Sequence, residues 1–387
     1  MRVHSQSGHK AEAINVVLKT QLPVSSRVSI GVGAIENIGN LLQQLEVGKR
    51  VLILSQKGVS DPWGARAEAS IEDAGYVTHS MELPDGEASK SHEYLLKVWT
   101  KLQELQFTRQ DTLVAVGGGA LTDLAGFAAS TYLRGIKTVL VPTTLLAQVD
   151  ASIGGKTGIN LPSGKNLAGT FHFPLGVVVD PAVLSTLPER EMRSGLGEII
   201  KYAMIEQTVV ANTEFRGGPR SLYSVLSEVI EKDGFSAAHP ALEGIITSCI
   251  KMKLAVVGKD PLEGHLRRSL NLGHTLGHAI EKVSNYSYSH GEAVSIGCVF
   301  ATQLSLSRGM FAAADLERLV ALLEEAGLPV SIPTELSTDQ LSEAMAFDKK
   351  RQAENIKFVL PHKTIGAVDL DVSISLDQLK ETLKESL

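Results

Sequence analysis

The stretch that decides the fold runs from Gly117 to Asn166. It reads GGGALTDLAGF at 117–127, VPTTLLAQVDASIGGKTGIN at 141–160 and GKN at 164–166. The three glycines follow an apolar run, Leu113–Val116, and precede a helix-compatible segment, Leu121–Tyr132. A strand, a glycine turn and a helix in this order let backbone N–H groups approach a phosphate, and the helix N-terminus adds partial positive charge. A second cluster of Gly, Thr, Lys and Asn follows, so the stretch predicts a nucleotide and another anionic ligand close together.

On both sides of this stretch, the spacing of apolar residues indicates two domains. Short apolar runs at 51–54, 76–81, 112–116, 137–141 and 177–179 alternate with helical segments at 62–74, 92–105 and 121–132. This alternation predicts parallel strands with crossover helices. Beyond Pro188, long amphipathic segments follow at 191–205, 223–231, 242–257, 271–282, 291–308 and 313–326. We therefore predict an α/β, Rossmann-like N-terminal domain at 1–182 and a mostly α-helical C-terminal domain at 183–387, with the glycine turn at the domain cleft.

The bulk composition excludes several classes of protein. The chain has 387 residues, 43% apolar and 21% charged, which is typical of a globular protein, and a net charge of −6 that argues against non-specific nucleic-acid binding. It contains no apolar run long enough to span a membrane, and its first residues lack the apolar core of a signal peptide. Its two cysteines, Cys249 and Cys298, lie in apolar helical contexts, which predicts buried thiols rather than a disulfide and a reducing, cytoplasmic environment.

Histidines are concentrated in one part of the C-terminal half. Three of the chain's eleven histidines, His274, His278 and His290, fall between 274 and 290, and Glu198 lies upstream in GLGEIIKY. His274 and His278 are four residues apart and share a helical face, a spacing suited to a metal. One carboxylate and several imidazoles suit Zn²⁺ or a similar divalent ion. Each histidine could instead be an ordinary hydrogen-bonding group, and spacing alone does not choose which three ligands bind.

Cationic residues form the other set of interest. Any one of them could be a solvated surface charge, but several cations near a metal would suit a substrate that carries phosphate and carboxylate. Lys201 follows Glu198 by three residues, so both can face one site, and Lys253 lies in an apolar helical segment. The candidates are Lys156, Lys165, Lys201, Lys253, Arg267, Lys349 and Lys350.

In its ordered motifs the chain resembles the 3-dehydroquinate synthase family of the sugar phosphate cyclase superfamily. The resemblance extends from about Val51 to Pro361. Its motifs are LPDGEASKS, GGGALTDLAGFAASTYLRG, VPTTLLAQVDASIGGKTGIN, GKN, LSTLPERE, GLGEIIKY, LNLGHTLGHAIE, HGEAVSIG and FDKK. It implies a dehydroquinate synthase-like fold whose helical C-terminal domain binds metal, tightly bound NAD, one Zn²⁺ or Co²⁺, a small-molecule sugar phosphate substrate and a homodimer.

The resemblance also implies a role for individual residues. The metal ligands would be Glu198, His274 and His290, so that His278 would lie near the substrate phosphate and would not be a ligand. Arg134 would reach the pocket of a neighbouring subunit, and one lysine of the FDKK motif, Lys349 or Lys350, would contact the substrate. The substrate would be lined by Asp150, Lys156, Asn166, Lys201, Lys253, Arg267 and Asn271. NAD would be held by Asp85, Gly86, Glu87, Lys90, Gly117, Gly118, Gly119, Ala120, Leu121, Thr122, Asp123, Thr143, Thr144, Lys156, Lys165, Val183, Leu184, Ser185 and Thr186.

One region departs from the family pattern. Members often have an acidic residue after an early strand, where it contacts the adenine ribose, but the residues at Leu54–Lys57 read LSQK. This departure leaves the ribose contact, and the preference for NAD over NADP, open.

The family reaction converts 3-deoxy-D-arabino-heptulosonate 7-phosphate to 3-dehydroquinate and phosphate, by transient oxidation, elimination, reduction and an aldol closure. The nearest rival function is that of a sibling cyclase acting on sedoheptulose 7-phosphate or glucose 6-phosphate, which lack the carboxylate. The presence of Lys253, Arg267 and Asn271 favours a carboxylate-bearing substrate. A metal-dependent alcohol dehydrogenase would not need the lysines, and a non-catalytic binding module would have damaged motifs.

Overall fold

The computed structural model describes residues 14–19, 25–162, 164–348 and 355–386. The chain divides into two compact units, with the boundary between Leu187 and Pro188. The predicted α/β first half and mostly helical second half are both confirmed.

The strands of the first unit are β1 (Ile14–Lys19), β2 (Ser25–Ile30), β3 (Arg50–Gln56), β4 (Val77–Leu83), β5 (Thr112–Gly117), β6 (Lys137–Pro142), β7 (Lys156–Leu161), β8 (Gly164–Phe171) and β9 (Gly176–Val179). Its helices are α1 (Ile38–Gln44), α2 (Ala65–Asp73), α3 (His92–Glu104) and α4 (Gly119–Thr131). Seven of the strands form one sheet with the order β1-β2-β9-β6-β5-β3-β4. All pairs of this sheet are parallel except the antiparallel pair β1–β2.

The sequence predicted the central strands β3 and β5 correctly because these strands are covered on both faces. Every residue of β5 is buried, and β3 is buried from Val51 to Gln56, so both read as continuous apolar runs. The antiparallel hairpin β7–β8 was not predicted. Its residues are mostly polar or glycine, and most of β8 is exposed or half-buried, so neither helical nor strand periodicity is visible.

The sheet has a topological switch point beside the glycine turn. From β3 the chain passes to β4 on one side and then returns to β5 on the other side. Ligands of open parallel sheets bind outside the carboxyl ends of strands at such a point. Gln56 ends β3 and Gly117 ends β5, so the switch point coincides with the stretch that the sequence singled out.

The second unit is a helical domain with one added antiparallel hairpin, β10 (Asn355–His362) and β11 (Thr364–Ser375). Its helices are α5 (Glu189–Asn212), α6 (Leu222–Asp233), α7 (Leu242–Lys259), α8 (His274–Val283), α9 (His290–Ser307), α10 (Ala313–Glu325), α11 (Thr338–Asp348) and α12 (Leu376–Glu385). The prediction that a helix begins at Asn271 is wrong. Asn271 ends a short 3₁₀ turn, and the left-handed Gly273, with φ +77°, separates that turn from α8.

Both cysteines are buried and neither forms a disulfide, as predicted. Within the described ranges, we find no helix with the length and apolar character needed to cross a membrane.

Candidate metal centre and nucleotide-binding turn

Glycine contacts bring three helices of the second unit together. A Cβ atom at Gly197 of α5 would lie 2.5 Å from the carbonyl oxygen of Gly291 on α9. A Cβ atom at Gly297 of α9 would lie 1.9 Å from the carbonyl oxygen of Gly273, which precedes α8. Such approaches are possible only without a side chain, because protein interiors leave no free space for one. The backbones of these helices therefore meet next to residues 198, 274 and 290.

Glu198, His274 and His290 converge at this junction. One ligand atom from each lies within 4.8 Å of the other two. Glu198 Oε1 is 3.3 Å from His290 Nε2 and 3.7 Å from His274 Nε2. The other carboxylate oxygen, Oε2, forms a buried ion pair with Lys201, one helical turn further along α5. A carboxylate oxygen and two imidazole nitrogens form a donor set that suits Zn²⁺ or Co²⁺.

The outer partners of the two histidines determine which nitrogen faces Glu198. His274 Nδ1 lies 3.0 Å from the carbonyl oxygen of Leu272, which can only accept, so this nitrogen donates. His290 Nδ1 lies 3.2 Å from Glu281 Oε2. In both residues Nε2 is therefore the nitrogen available to a metal, and both Nε2 atoms point to the same carboxylate oxygen.

The electrostatics of the cluster favour the positively charged form of His290 and the neutral form of His274. Burial lowers the pKa of His274 to about 3, and the charge of Glu198 only partly opposes this. Burial also disfavours the charged form of His290, but hydrogen bonds to Glu198 and Glu281, together with their charges, raise its pKa to about 10. Burial raises the pKa of the neighbouring Cys298 thiol to about 12, so this thiol stays neutral. A divalent cation at this position would displace the His290 proton.

Several of the predicted substrate residues belong to the second unit. Lys201, Lys253 and Arg267 are all buried, at 1%, 5% and 1% exposure, which is unusual for cations. Asn271 is half-buried and His278 is exposed on α8. Lys349 and Lys350 lie outside the described residues.

The loop that precedes Arg267 is held in shape by one carboxylate. Asp260 accepts the backbone N–H groups of Gly264, His265 and Arg267 at 2.7, 2.7 and 2.9 Å. Burial opposes the charge of Asp260, but these three hydrogen bonds and the charge of Arg267 leave its pKa below the ordinary value. Arg267 Nη1 also donates to the carbonyl of Pro261 at 2.6 Å.

The sequence analysis missed Glu263 in the same loop. Its backbone is left-handed, with φ +62°, and its Oε1 accepts from Asn271 Nδ2 at 2.9 Å. A non-glycine residue held at positive φ beside a predicted substrate residue marks a strained and therefore functionally interesting position. The local signal in the sequence was only the LEG turn, which does not distinguish Glu263 from any loop acid.

In the first unit, one residue of the LSQK segment that departs from the family pattern, Gln56, binds the glycine turn. The Gly118 N–H donates to Gln56 Oε1 at 2.9 Å. A Cβ atom at Gly117 would lie 2.7 Å from the same oxygen and 2.6 Å from Leu121 Cδ2. Thr143 N–H donates to the carbonyl of Gly117 at 3.0 Å. The turn is therefore fixed by the ends of three neighbouring strands.

Two polar contacts connect the predicted NAD segments. Lys90 Nζ lies 2.5 Å from Asp123 Oδ2, and Lys165 Nζ lies 3.9 Å from Glu87 Oε1. Asp123 is the fifth residue of α4, whose N-cap is Gly118, so an ordinary capping role for Asp123 does not fit. Residues 85–90, 117–123 and 165 thus form one polar cluster, and Asp123 and Lys156 also line a common cavity of about 10 Å³.

The remaining predicted residues of the first unit are more scattered. Asn166 has φ +57° and donates its N–H to Asn160, and Thr186 Oγ1 accepts from Trp63 Nε1 at 2.9 Å. Arg134 is exposed in a left-handed turn after α4. Thr144 Oγ1 accepts the N–H of Ala147, which begins the turn that carries the half-buried Asp150. Val183–Thr186 lie in a 3₁₀ helix.

Comparison with known proteins identifies related sequences. Family models described as the 3-dehydroquinate synthase N-terminal and C-terminal parts match residues 80–194 and 195–351. A 3-dehydroquinate synthase from Nostoc sp. (strain PCC 7120) is 41% identical over 96% of this chain and 99% of its own length. One from Nostoc punctiforme is 40% identical over 96% of this chain and 98% of its own length.

Solved structures of sugar phosphate cyclases have the same fold. A 2-deoxy-scyllo-inosose synthase complexed with carbaglucose-6-phosphate, NAD⁺ and Co²⁺ matches with TM-score 0.83 and 26% identity, over 97% of this chain and 100% of that one. A 2-epi-5-epi-valiolone synthase from Streptomyces hygroscopicus with NAD⁺ and Zn²⁺ bound matches with TM-score 0.81 and 26% identity, over 95% of this chain and 98% of that one. A glycerol dehydrogenase from Schizosaccharomyces pombe, at TM-score 0.63 and 16% identity over 92% of this chain and 87% of that one, shares the fold alone.

Proposed function

Because this chain belongs to the 3-dehydroquinate synthase family, we propose that it converts 3-deoxy-D-arabino-heptulosonate 7-phosphate to 3-dehydroquinate and phosphate. It would thus act as a carbon–oxygen lyase that depends on NAD and one divalent metal. The observation that carries this proposal is the cluster of Glu198, His274 and His290 on three helices, with Lys201 paired to Glu198. Two further cations of the same unit, Lys253 and Arg267, are buried as well, and an ordinary dehydrogenase would not need these cations.

The donor set fits one divalent cation, and we assign Glu198, His274 and His290 as its ligands. Both imidazoles present Nε2 because Nδ1 is engaged elsewhere, and Glu198 keeps one oxygen toward them while Lys201 binds the other. A bound Zn²⁺ or Co²⁺ would act as a Lewis acid toward the hydroxyl and carbonyl oxygens of the substrate. The cyclases with Co²⁺ or Zn²⁺ bound support this assignment by homology.

We assign the NAD site to the polar cluster of the first unit. The turn after β5 lies at the switch point of the sheet and leads into the N-terminus of α4, where dinucleotides bind in such folds. Bound NAD would accept a hydride from a secondary alcohol of the substrate and return it in the same turnover. The residues that would hold it are Asp85–Lys90, Gly117–Asp123, Thr143, Thr144, Lys156, Lys165 and Val183–Thr186.

The charged groups of the second unit would recognise the substrate. Arg267, with its planar fork, and Lys253 would bind the carboxylate, and His278 would lie near the phosphate. Lys201 would offset negative charge that develops next to the carbonyl. The departing phosphate is itself a base, so proton removal requires no dedicated carboxylate. We further propose that Asp150, Asn166 and Asn271 bind substrate hydroxyls, and that Lys349 or Lys350 adds one more cation.

As the family resemblance implies, we propose that the protein is a cytoplasmic homodimer. Arg134 is exposed on a tight turn after α4, from which it could extend to a second copy of the chain. We propose that it completes the substrate pocket of that copy, which analytical ultracentrifugation and mixing of an Arg134→Ala chain with an active-site variant would test.

Phosphate release tests the proposed reaction. The purified protein with NAD and Zn²⁺ is given 3-deoxy-D-arabino-heptulosonate 7-phosphate, sedoheptulose 7-phosphate or glucose 6-phosphate in parallel. The expected result is rapid release from the first substrate alone, and none with His274→Ala. Faster release from sedoheptulose 7-phosphate or glucose 6-phosphate would instead identify a sibling cyclase.

A further inference from the structure

We propose that Glu281 is a positioning residue that orients His290 and increases the affinity of the metal centre. This inference rests on the proposed function, because it takes His290 as a metal ligand. Glu281 belongs to the sequence motif GHAIE but has no part in the substrate, metal or NAD assignments made above.

The placement of Glu281 follows from the geometry of α8. His274, His278 and Glu281 are spaced by four and then three residues, so they form one stripe along the helix. Gly277, between them, approaches α9 so closely that a Cβ atom there would lie 3.2 Å from the carbonyl oxygen of Ala293. This close packing brings the Glu281 carboxylate to the start of α9, where His290 is the first helical residue.

The contact between Glu281 and His290 is partly buried. The Glu281 side chain is 7% exposed, and its Oε2 lies 3.2 Å from His290 Nδ1. The opposite ring nitrogen, Nε2, lies 3.3 Å from Glu198 Oε1. The imidazole is therefore held between two carboxylates, and Glu281 keeps the hydrogen on Nδ1 so that Nε2 remains a ligand atom.

His290 needs this support more than His274 does. The His274 side chain is 13% exposed and donates to the carbonyl of Leu272 in its own chain segment. His290 is 28% exposed and stands at a helix end, so without a partner on Nδ1 its ring could rotate away from Glu198. The Glu281 carboxylate, which accepts from Nδ1–H, carries a full negative charge. It therefore makes Nε2 a better electron donor than a neutral carbonyl acceptor at Nδ1 would.

Metal affinity tests the role of Glu281 without relying on activity. The full chain is stripped with a chelator and titrated with Zn²⁺ against a chromogenic chelator of known affinity. Glu281→Ala should weaken Zn²⁺ binding by about 10- to 100-fold, the usual loss for a carboxylate that supports a ligating histidine. Glu281→Gln keeps an acceptor oxygen but not the charge, so its loss should be smaller. With Co²⁺ the visible absorption band should shift in Glu281→Ala, and saturating metal should restore most of kcat.

A matched control separates this role from ordinary stability. Glu206 is as buried as Glu281, at 5% exposure, but accepts from the backbone N–H of Leu222 at the start of α6. Glu206→Gln should lower the melting temperature and leave Zn²⁺ affinity unchanged.

The outcomes distinguish the inference from the function on which it rests. Parent-like Zn²⁺ affinity in both folded Glu281 variants overturns the role of Glu281. A second Zn²⁺ per chain that disappears with Glu281→Ala also overturns it, because His278, Glu281 and His290 would then be ligands themselves. If His290→Ala binds Zn²⁺ as tightly as the parent, the proposed metal centre itself is wrong.

Discussion

Gly197 of α5 packs directly against Gly291 of α9: a Cβ atom added at Gly197 would lie 2.5 Å from the Gly291 carbonyl oxygen. Each glycine is the immediate neighbour of a proposed metal ligand, Glu198 and His290. The contact between the two backbones therefore sets the distance between the two ligands. A site of this kind depends on glycines that themselves bind nothing.

Substitution of Gly197 by alanine should damage both packing and metal binding. The added methyl group must push α5 and α9 apart, which should cost about 1–3 kcal/mol in the free energy of unfolding. The same displacement separates Glu198 from His290, so Zn²⁺ content after dialysis should fall. Gly244 of α7 is the control, because open space surrounds its missing Cβ. Gly244→Ala should be neutral or stabilise by roughly 0.5–1 kcal/mol, with full metal content. Equal behaviour of the two variants in urea unfolding would show that the close contact is unimportant.

The ion pair between Lys90 and Asp123 should support both folding and NAD binding. Lys90 is almost fully buried, so Asp123→Asn leaves a buried ammonium with a weakened partner and should cost about 1–3 kcal/mol. NAD affinity, measured by calorimetry, should fall as well. The double variant Lys90→Met, Asp123→Leu removes both charges and should regain much of the stability but none of the NAD affinity. Parent-like NAD affinity in the double variant would remove this pair from the cofactor site.

Asp260 should make the stability of its loop depend on pH. Its folded-state pKa is lowered by three backbone N–H donors, so its stabilising contribution is complete above the unfolded pKa of about 3.9. That contribution is lost as the pH falls through the folded pKa. Asp260→Asn should therefore be less stable than the parent at pH 7, and the difference should shrink below about pH 4.

The same variant should raise KM, because the loop carries Arg267. The pH dependence of the stability difference between Asp260→Asn and the parent is measured by urea unfolding from pH 7 to 3. Replacement of the exposed Asp233 by Asn is the control. A stability difference that stays constant across this range would mean that the Asp260 charge is not responsible.

Arg267→Lys should weaken substrate recognition although the charge is kept. Arg267 is buried, and the donation from its Nη1 to the carbonyl of Pro261 fixes the guanidinium group. A planar guanidinium can pair with a carboxylate through two parallel N–H groups, which an ammonium group cannot do. A lysine cannot serve both partners, and kcat/KM should fall by roughly 1–3 kcal/mol in transition-state stabilisation. Steady-state kinetics on the parent and the variant decide this, and an unchanged kcat/KM would remove Arg267 from the substrate site.

The sequence was most informative where one periodicity dominates. The buried strands β3 and β5 and the long helices α7 and α9 were predicted within a few residues, because their apolar residues recur with one clear period. Helix α5 was predicted at 191–205 and continues to Asn212. The hairpin β7–β8 was missed because its residues are mostly polar or glycine and those of β8 are exposed or half-buried. The hairpin β10–β11 was missed because register shifts between Phe358 and Leu360 and between Pro361 and His362 interrupt its alternation. The helix start at Asn271 was misplaced, because Gly273 acts through a left-handed φ angle that the letter Gly permits but does not require.

The candidate site also contains residues that the sequence predicted and residues that only the folded chain shows. Glu198, His274 and His290 could be proposed from motifs, and the structure adds that their ligand atoms lie together. Spacing also suggested His278 as a partner of His274 on the same helical face. Only tertiary packing shows that His290 Nε2 and His274 Nε2 both face Glu198 Oε1. Sequence reasoning gave no role to Glu281, Glu263 or Gln56, because each acts through a contact that only the folded chain brings together, with a partner 9, 8 and 62 positions away, respectively.

The central claim is that NAD is used and regenerated within each turnover of a phosphate-eliminating cyclase. The most direct test supplies one equivalent of NAD per site, with Zn²⁺ and excess 3-deoxy-D-arabino-heptulosonate 7-phosphate, and records phosphate release and NADH absorbance together. The account predicts many equivalents of phosphate per NAD with no accumulation of NADH in the steady state. Build-up of NADH in proportion to substrate consumed, with turnover ending after one equivalent, would contradict it and would indicate a dehydrogenase.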